Sequence, residues 1–221
     1  MTEIIKKKPS SKAYLIISEV FNATSHGIAV GLAVLGLILL ILKGQASGSL
    51  LEMISLIIYG SMLVLLFLFS TLAHSLYFSR ARKVFQVFDH SGIFLLIAGT
   101  YTPYCLVSLH NWLGIILFSV IWICAILGII FTAIFLPRTE KVPKFSTILY
   151  VIMGWMIMFA ILPLYHLLSA KGFWLLVGGG VVYTIGALIY RFKFPFAHLV
   201  WHFFVLAAAI LMWFSIYFFV A

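Results

Sequence analysis

Seven apolar runs, each near the length that crosses a bilayer, constrain this chain more than any other feature of its sequence. About 20 consecutive apolar residues span the hydrocarbon core as a helix. Runs at 19–42, 50–77, 87–108, 113–136, 146–168, 173–191 and 197–220 qualify, with short polar connections between them. The chain is 65% hydrophobic and only 9% charged, with a mean hydropathy of +1.22. Soluble domains carry about 25% charged residues, so lipid is the solvent this sequence is built for. Backbone groups in lipid must be satisfied internally. The runs therefore predict an all-α, seven-transmembrane helix bundle.

The connections set the expected orientation. Lys43 to Ser49 is Gly/Ser-rich, Ser79 to Gln86 carries Arg80, Arg82 and Lys83, and His110 and Asn111 mark a tight turn. Pro137 to Lys144 holds Arg138, Lys141, Lys144 and two prolines, and Ser169 to Gly172 is a further turn. Phe192 to Phe196 contains Pro195, a residue suited to the first turn of a helix. With seven spans, 12 of the 14 Lys and Arg residues fall on the side of the N-terminus, and only Lys43 and Lys171 on the other. Positive residues favour the cytoplasmic side, so the N-terminus is predicted inside and the C-terminus outside. The net charge of +9 sits in clusters between spans, a membrane pattern that argues against nucleic acid as a partner.

The basic start, MTEIIKKKPSSK, precedes an apolar run in the manner of a signal peptide. That run contains Glu19, Asn22 and His26 and has no clear A-x-A site, so it reads as a retained span. Residues 1–18 are expected to form a cytoplasmic or interfacial segment, with AYLIISEVF as a short amphipathic helix along the interface. Residues 19–221 read as one membrane domain. Pro103 and Pro163 predict kinks in spans 3 and 5, and Gly178 to Gly180 predicts close helix packing. Cys105 and Cys124 lie in apolar runs, form no CxxC, and read as buried thiols.

Ionisable residues within spans are functional candidates, and their depths coincide. His74 lies six residues before Arg80, about 9 Å into the membrane at 1.5 Å per residue. Asp89 and His90 start span 3, His198 and His202 start span 7, and Glu19, Asn22 and His26 start span 1, all at the inner end. His198 and His202 are four residues apart and so share a helix face. Adding His74 gives three imidazoles and an open fourth position, the pattern of a catalytic zinc. Zinc in such a site activates water and polarises a carbonyl. Asp89 has two readings, as general base or as a group that holds an imidazole or caps its helix. Ser70, one turn before His74, either hydrogen-bonds the water or a developing oxyanion, or bonds its own backbone. Glu19, Asn22 and His26, at i, i+3 and i+7, share a face that either backs the histidines or, through Glu19, pairs with an Arg or Lys.

Three blocks carry a family resemblance. They are Glu19-x-x-Asn22-x-x-Ser25-His26; Ser70-x-x-x-His74 with Asp89-His90-Ser91-Gly92 and Gly99-Thr100-Tyr101-Thr102-Pro103; and His198-x-x-x-His202. The chain resembles the hemolysin III branch of the progestin and adipoQ receptor (PAQR) family, related to alkaline ceramidase-type membrane hydrolases. The family more often has Thr where Ser25 stands. The resemblance covers the whole chain. It implies Zn2+ held by His74, His198 and His202, Asp89 in contact with the metal-bound water, and Ser70 nearby. It also implies a multi-pass protein of the bacterial cell membrane.

The leading functional expectation is a zinc-dependent intramembrane hydrolase acting on an amide or ester of a lipid, with membrane lipids as partners and substrate source and a role in lipid and fluidity homeostasis. A receptor- or sensor-like protein with a structural zinc is the second. A membrane-lysing, hemolytic protein is the third, and the sequence argues against it as a pore former because the polar residues stop at one leaflet. A transporter would place polar sites near the midplane of repeated halves, and the sequence shows neither. It also holds no Gly-rich phosphate loop or dinucleotide fingerprint.

Overall fold

Helix α1, Lys12–Ser47, is the longest element and the one on which the site is assembled. It is followed by α2 (Leu50–Ser75), α3 (Arg82–Pro103), α4 (Trp112–Thr139), α5 (Lys144–Trp155), α6 (Ile161–Leu167), α7 (Ala170–Arg191) and α8 (Ala197–Phe219). This computed structural model describes residues 11–139, 144–192 and 194–220. The described residues form only helices and their connections, and seven helices are long and apolar enough to cross a membrane. The fifth span combines α5, a 3₁₀ stretch at Met156–Ala160 and α6. Successive spans pack side by side, and α8 packs back onto α1 as well as α7, so the bundle closes on itself.

Polar residues punctuate the spans. Ser11, Ser49 and Ser169 cap α1, α2 and α7 by accepting from the backbone N–H groups of Tyr14, Glu52 and Gly172. Large apolar side chains such as Phe159, Leu162 and Trp112 point outward, as lipid-facing residues should. The inward stripe of α1 is small and polar: Ser18, Asn22, His26, Ala29, Ala33, Gly36, Leu40 and Gly44 are buried. Small residues let helices approach closely. A Cβ on Gly44 would lie 2.7 Å from Met53 Cα.

Several local expectations change. Residues 13–21 are not a separate helix but the first turns of α1, which runs without a break for 36 residues. Lys43 to Ser47 is helical too, and only Gly48 and Ser49 separate α1 from α2. Gly48 takes the left-handed conformation (φ 70°) that ends α1. Lys43 tolerates its place inside the span because its Nζ donates to the Tyr217 carbonyl on α8 and lies 5.2 Å from that ring's centroid. Lys141, part of an expected basic connection, lies outside the described residues.

The prolines coincide with departures from α geometry. After Pro103 the third span continues as a π-helical stretch, Tyr104–Leu109. The 3₁₀ stretch precedes Pro163, which lacks the N–H that Phe159 would have accepted. At the start of the 3₁₀ stretch the Tyr101 hydroxyl bridges a separate backbone pair: it donates to the Met153 carbonyl (2.7 Å) and accepts from the Ile157 N–H (2.6 Å). Pro195 lies in the turn before α8 rather than in its first helical turn. Phe196 follows with φ 58°, and its N–H donates to the Tyr14 hydroxyl at 2.9 Å. Of the three glycines at 178–180, Gly179 is the one in tight contact, against Met212. Cys105 is buried, and Cys124 is half-buried.

Candidate metal centre

The last turn of α2 and the first turns of α8 converge at one end of the bundle, with α1 against both. His74 comes from α2, and His198 and His202 from successive turns of α8. One ligand nitrogen from each lies within 4.8 Å of the other two. The rings meet edge to face: the centroids of His74 and His198 are 4.8 Å apart, those of His74 and His202 5.0 Å, and those of His198 and His202 4.8 Å. His202 is 1% exposed and His74 9%, while His198 is half-buried.

These three histidines could hold a metal ion. Neutral imidazole is a common ligand, and four-coordinate zinc at about 2.0–2.1 Å spaces its nitrogens by roughly 3.3 Å. Ligand atoms already within 4.8 Å of one another are close to that spacing. The state of His74 supports the fit. Its Nδ1 is 2.7 Å from Glu19 Oε2, and both side chains are shielded, 9% and 12% exposed. An ionised carboxylate only accepts, so Nδ1 carries a proton, and in the neutral imidazole Nε2 then presents a lone pair. That Nε2 is buried and has no hydrogen-bond partner among the described residues. A carboxylate behind a histidine in this way is the usual support of a metal ligand.

The other candidates gather around the triad. Glu19 contacts His74 directly. His26, 3% exposed, lies parallel to His202, with ring centroids 3.5 Å apart and planes 8° apart. Asn22, 2% exposed, is buried one turn earlier, and its Oδ1 is unpartnered among the described residues. Ser70, 1% exposed, is buried one turn before His74. Asp89 comes from α3: its side chain is 17% exposed, and its Oδ2 lies 3.9 Å from His90 Nδ1. His90 belongs to α3 packing instead. Its Nδ1 donates to the Gln86 carbonyl at 2.8 Å, and its own carbonyl accepts from Tyr150 at 2.8 Å.

Two contacts lie beyond the sequence reading. Ser25 Oγ is 3.0 Å from His202 Nδ1, and the Tyr190 ring meets His198 edge on at 5.3 Å. At about 100° per residue, Ser25 sits roughly a quarter-turn from the Glu19/Asn22/His26 face, so helical periodicity passes over it. The family block Glu19-x-x-Asn22-x-x-Ser25-His26 was the signal that marked it.

The family described as haemolysin-III related matches residues 14–213 of the chain. The chain is 42% identical over 215 residues to Hemolysin-3 of Bacillus cereus, covering 97% of each protein. It is 40% identical over 207 residues to the Hemolysin-3 homolog of Bacillus subtilis (strain 168), covering 93% of this chain and 96% of the relative. It is also 27% identical over 210 residues to the human monocyte to macrophage differentiation factor, covering 89% and 82%.

Proposed function

The chain belongs to the haemolysin-III-related family and is a multi-pass integral membrane protein of the bacterial cell membrane; on that premise we propose that it is a zinc-dependent intramembrane hydrolase cleaving an amide or ester of a membrane lipid, in the service of lipid and fluidity homeostasis. One observation carries this reading. Three imidazoles from two helices converge, and the buried Nε2 of one is left unpartnered while a carboxylate holds its Nδ1. A triad of neutral histidines leaves a ligand position open, as in catalytic zinc sites.

When bound, zinc supplies Lewis acidity toward a substrate carbonyl and toward water. The chain's own residues do the rest. Glu19 fixes the ring and tautomer of His74. Asp89 takes the proton of the attacking water as general base and returns it to the leaving amine or alkoxide. Ser70, buried beside His74 on α2, donates to the oxygen of the scissile carbonyl as charge develops there. The packed ends of α1, α2 and α8 keep bulk water from the reacting atoms. The distribution of Lys and Arg supports placing this end of the bundle in the cytoplasmic leaflet. At about 9 Å from the surface, it is within lateral reach of a lipid's linkage region.

Purified protein tests the reading in two steps. Zinc content should fall from stoichiometric in wild type to near zero in His198→Ala; unchanged zinc in that variant would remove the ligand assignment. Labelled lipid amides and esters should then be hydrolysed by wild type and not by Asp89→Asn. If no lipid is cleaved and Asp89→Asn and Ser70→Ala retain full biological function, the site is structural and the protein receptor-like.

A further inference from the structure

Helix α1 reaches the triad twice, and its second contact has a chemistry of its own. We propose that Ser25 is a positioning residue whose hydroxyl accepts a hydrogen bond from the Nδ1–H of His202, so that the Nε2 lone pair of that ring is held toward the metal. The inference rests on the zinc reading of the three histidines, not on hydrolysis.

Proton counting carries the argument. The Ser25 hydroxyl donates to the Asn22 carbonyl at 2.9 Å and lies 3.0 Å from His202 Nδ1. A hydroxyl has one proton and two lone pairs. A carbonyl can only accept, so the single proton is directed to Asn22 and lone pairs face His202. The 3.0 Å contact is then a hydrogen bond only if Nδ1 carries the imidazole proton. With the opposite tautomer, either two lone pairs would face each other or Ser25 would give up Asn22.

His26 holds the plane of the same ring. It stacks at 3.5 Å and 8° and is backed in turn by Phe67, edge on at 5.0 Å. A half-turn of His202 about its ring axis would sweep Nδ1 away from Ser25 while keeping the stack. The stack therefore sets the plane, and Ser25 sets which nitrogen faces the triad. Glu19 does the same for His74 with a carboxylate. The first helix thus fixes two of the three ligands without ligating anything itself.

The test compares wild type, Ser25→Ala and Ser25→Thr as full-length proteins in detergent micelles. In metal-free, 15N-histidine-labelled protein, two-bond NMR correlations report the tautomer of His202, assigned by its loss in His202→Gln. Wild type and Ser25→Thr should show Nδ1–H, and Ser25→Ala should shift toward Nε2–H. Zinc affinity, by competition with a chromophoric chelator, should fall about 10–100-fold in Ser25→Ala and recover in Ser25→Thr. An Nε2–H form of His202 in wild type, or Ser25→Ala indistinguishable from wild type in both readouts, overturns the proposal. A wild type that takes up no zinc, yet loses Nδ1–H only when Ser25 is replaced by Ala, would refute the zinc reading and support the role of Ser25.

Discussion

Replacing Glu19 separates two things that its carboxylate does for His74. The contact is short, 2.7 Å, and shielded, with the side chains 12% and 9% exposed, so solvent screening is weak. In Glu19→Gln the amide oxygen can still accept from Nδ1–H, and the tautomer is kept while the charge is lost. Hydrogen bonds to charged groups contribute about 1.5–3 kcal/mol and neutral ones about 0.5–1.5. The difference, about 1 kcal/mol, is roughly a fivefold loss of zinc affinity. Glu19→Ala also leaves a buried Nδ1–H unpaired and frees the ring to present either nitrogen, and loss of such a support weakens metal sites about 10–100-fold. The expected order is therefore wild type, Gln, Ala, with the larger step at Ala. Competition against a chelator at fixed pH measures all three. If Gln loses as much as Ala, charge alone matters and the tautomer argument fails. If both stay within about twofold of wild type, well short of the expected loss, the carboxylate does not support a metal ligand at all.

Other substitutions probe the scaffold. Gly128→Ala would set a Cβ 2.4 Å from ring carbons of the fully buried Phe94, which packs on Tyr150 at 4.3 Å. Overpacking of this kind destabilises by about 1–3 kcal/mol, to be read as a lower unfolding midpoint; unchanged stability would mean the helices part freely. Tyr101→Phe strands the buried N–H of Ile157 and should cost about 1–3 kcal/mol, measurable in the same unfolding experiment. In dye-loaded liposomes at low protein density, neither wild type nor the His74→Ala/His198→Ala/His202→Ala variant should release more dye than protein-free liposomes. Release by both would instead favour a lytic protein.

Span number and the convergence of polar residues were legible because both follow from one-dimensional rules. Runs near 20 apolar residues need lipid, and the distance of His74, Asp89 and His202 from a basic connection sets their depth. Helix ends were less legible. Lys43 looks like a loop residue until Tyr217, on a distant segment, supplies an acceptor and a ring. The same holds for Ser25, whose role depends on the proton demand of Asn22 and His202 together. Glu19 showed its face in the sequence but not its partner, since a carboxylate at that depth could equally have met an Arg or Lys. Proline flagged the irregular fifth span, yet the hydroxyl that bridges Met153 and Ile157 at the start of its 3₁₀ stretch comes from Tyr101, in span 3.

The seam at which α8 meets α1 gives the histidine cluster a mechanical meaning as well as a chemical one. Among the described residues successive spans pack in order, and the last helix returns to the first. His74 belongs to α2, and His198 and His202 belong to α8, and both helices pack on α1. An ion bound by all three is a rivet through that closure, tying segments from opposite ends of the chain. A ligand that binds only the closed ring stabilises it by about 2.7 kcal/mol at 100 times its dissociation constant. Zinc supply would then govern how firmly the ring stays shut, and chelation should loosen the first and last helices before the middle of the bundle.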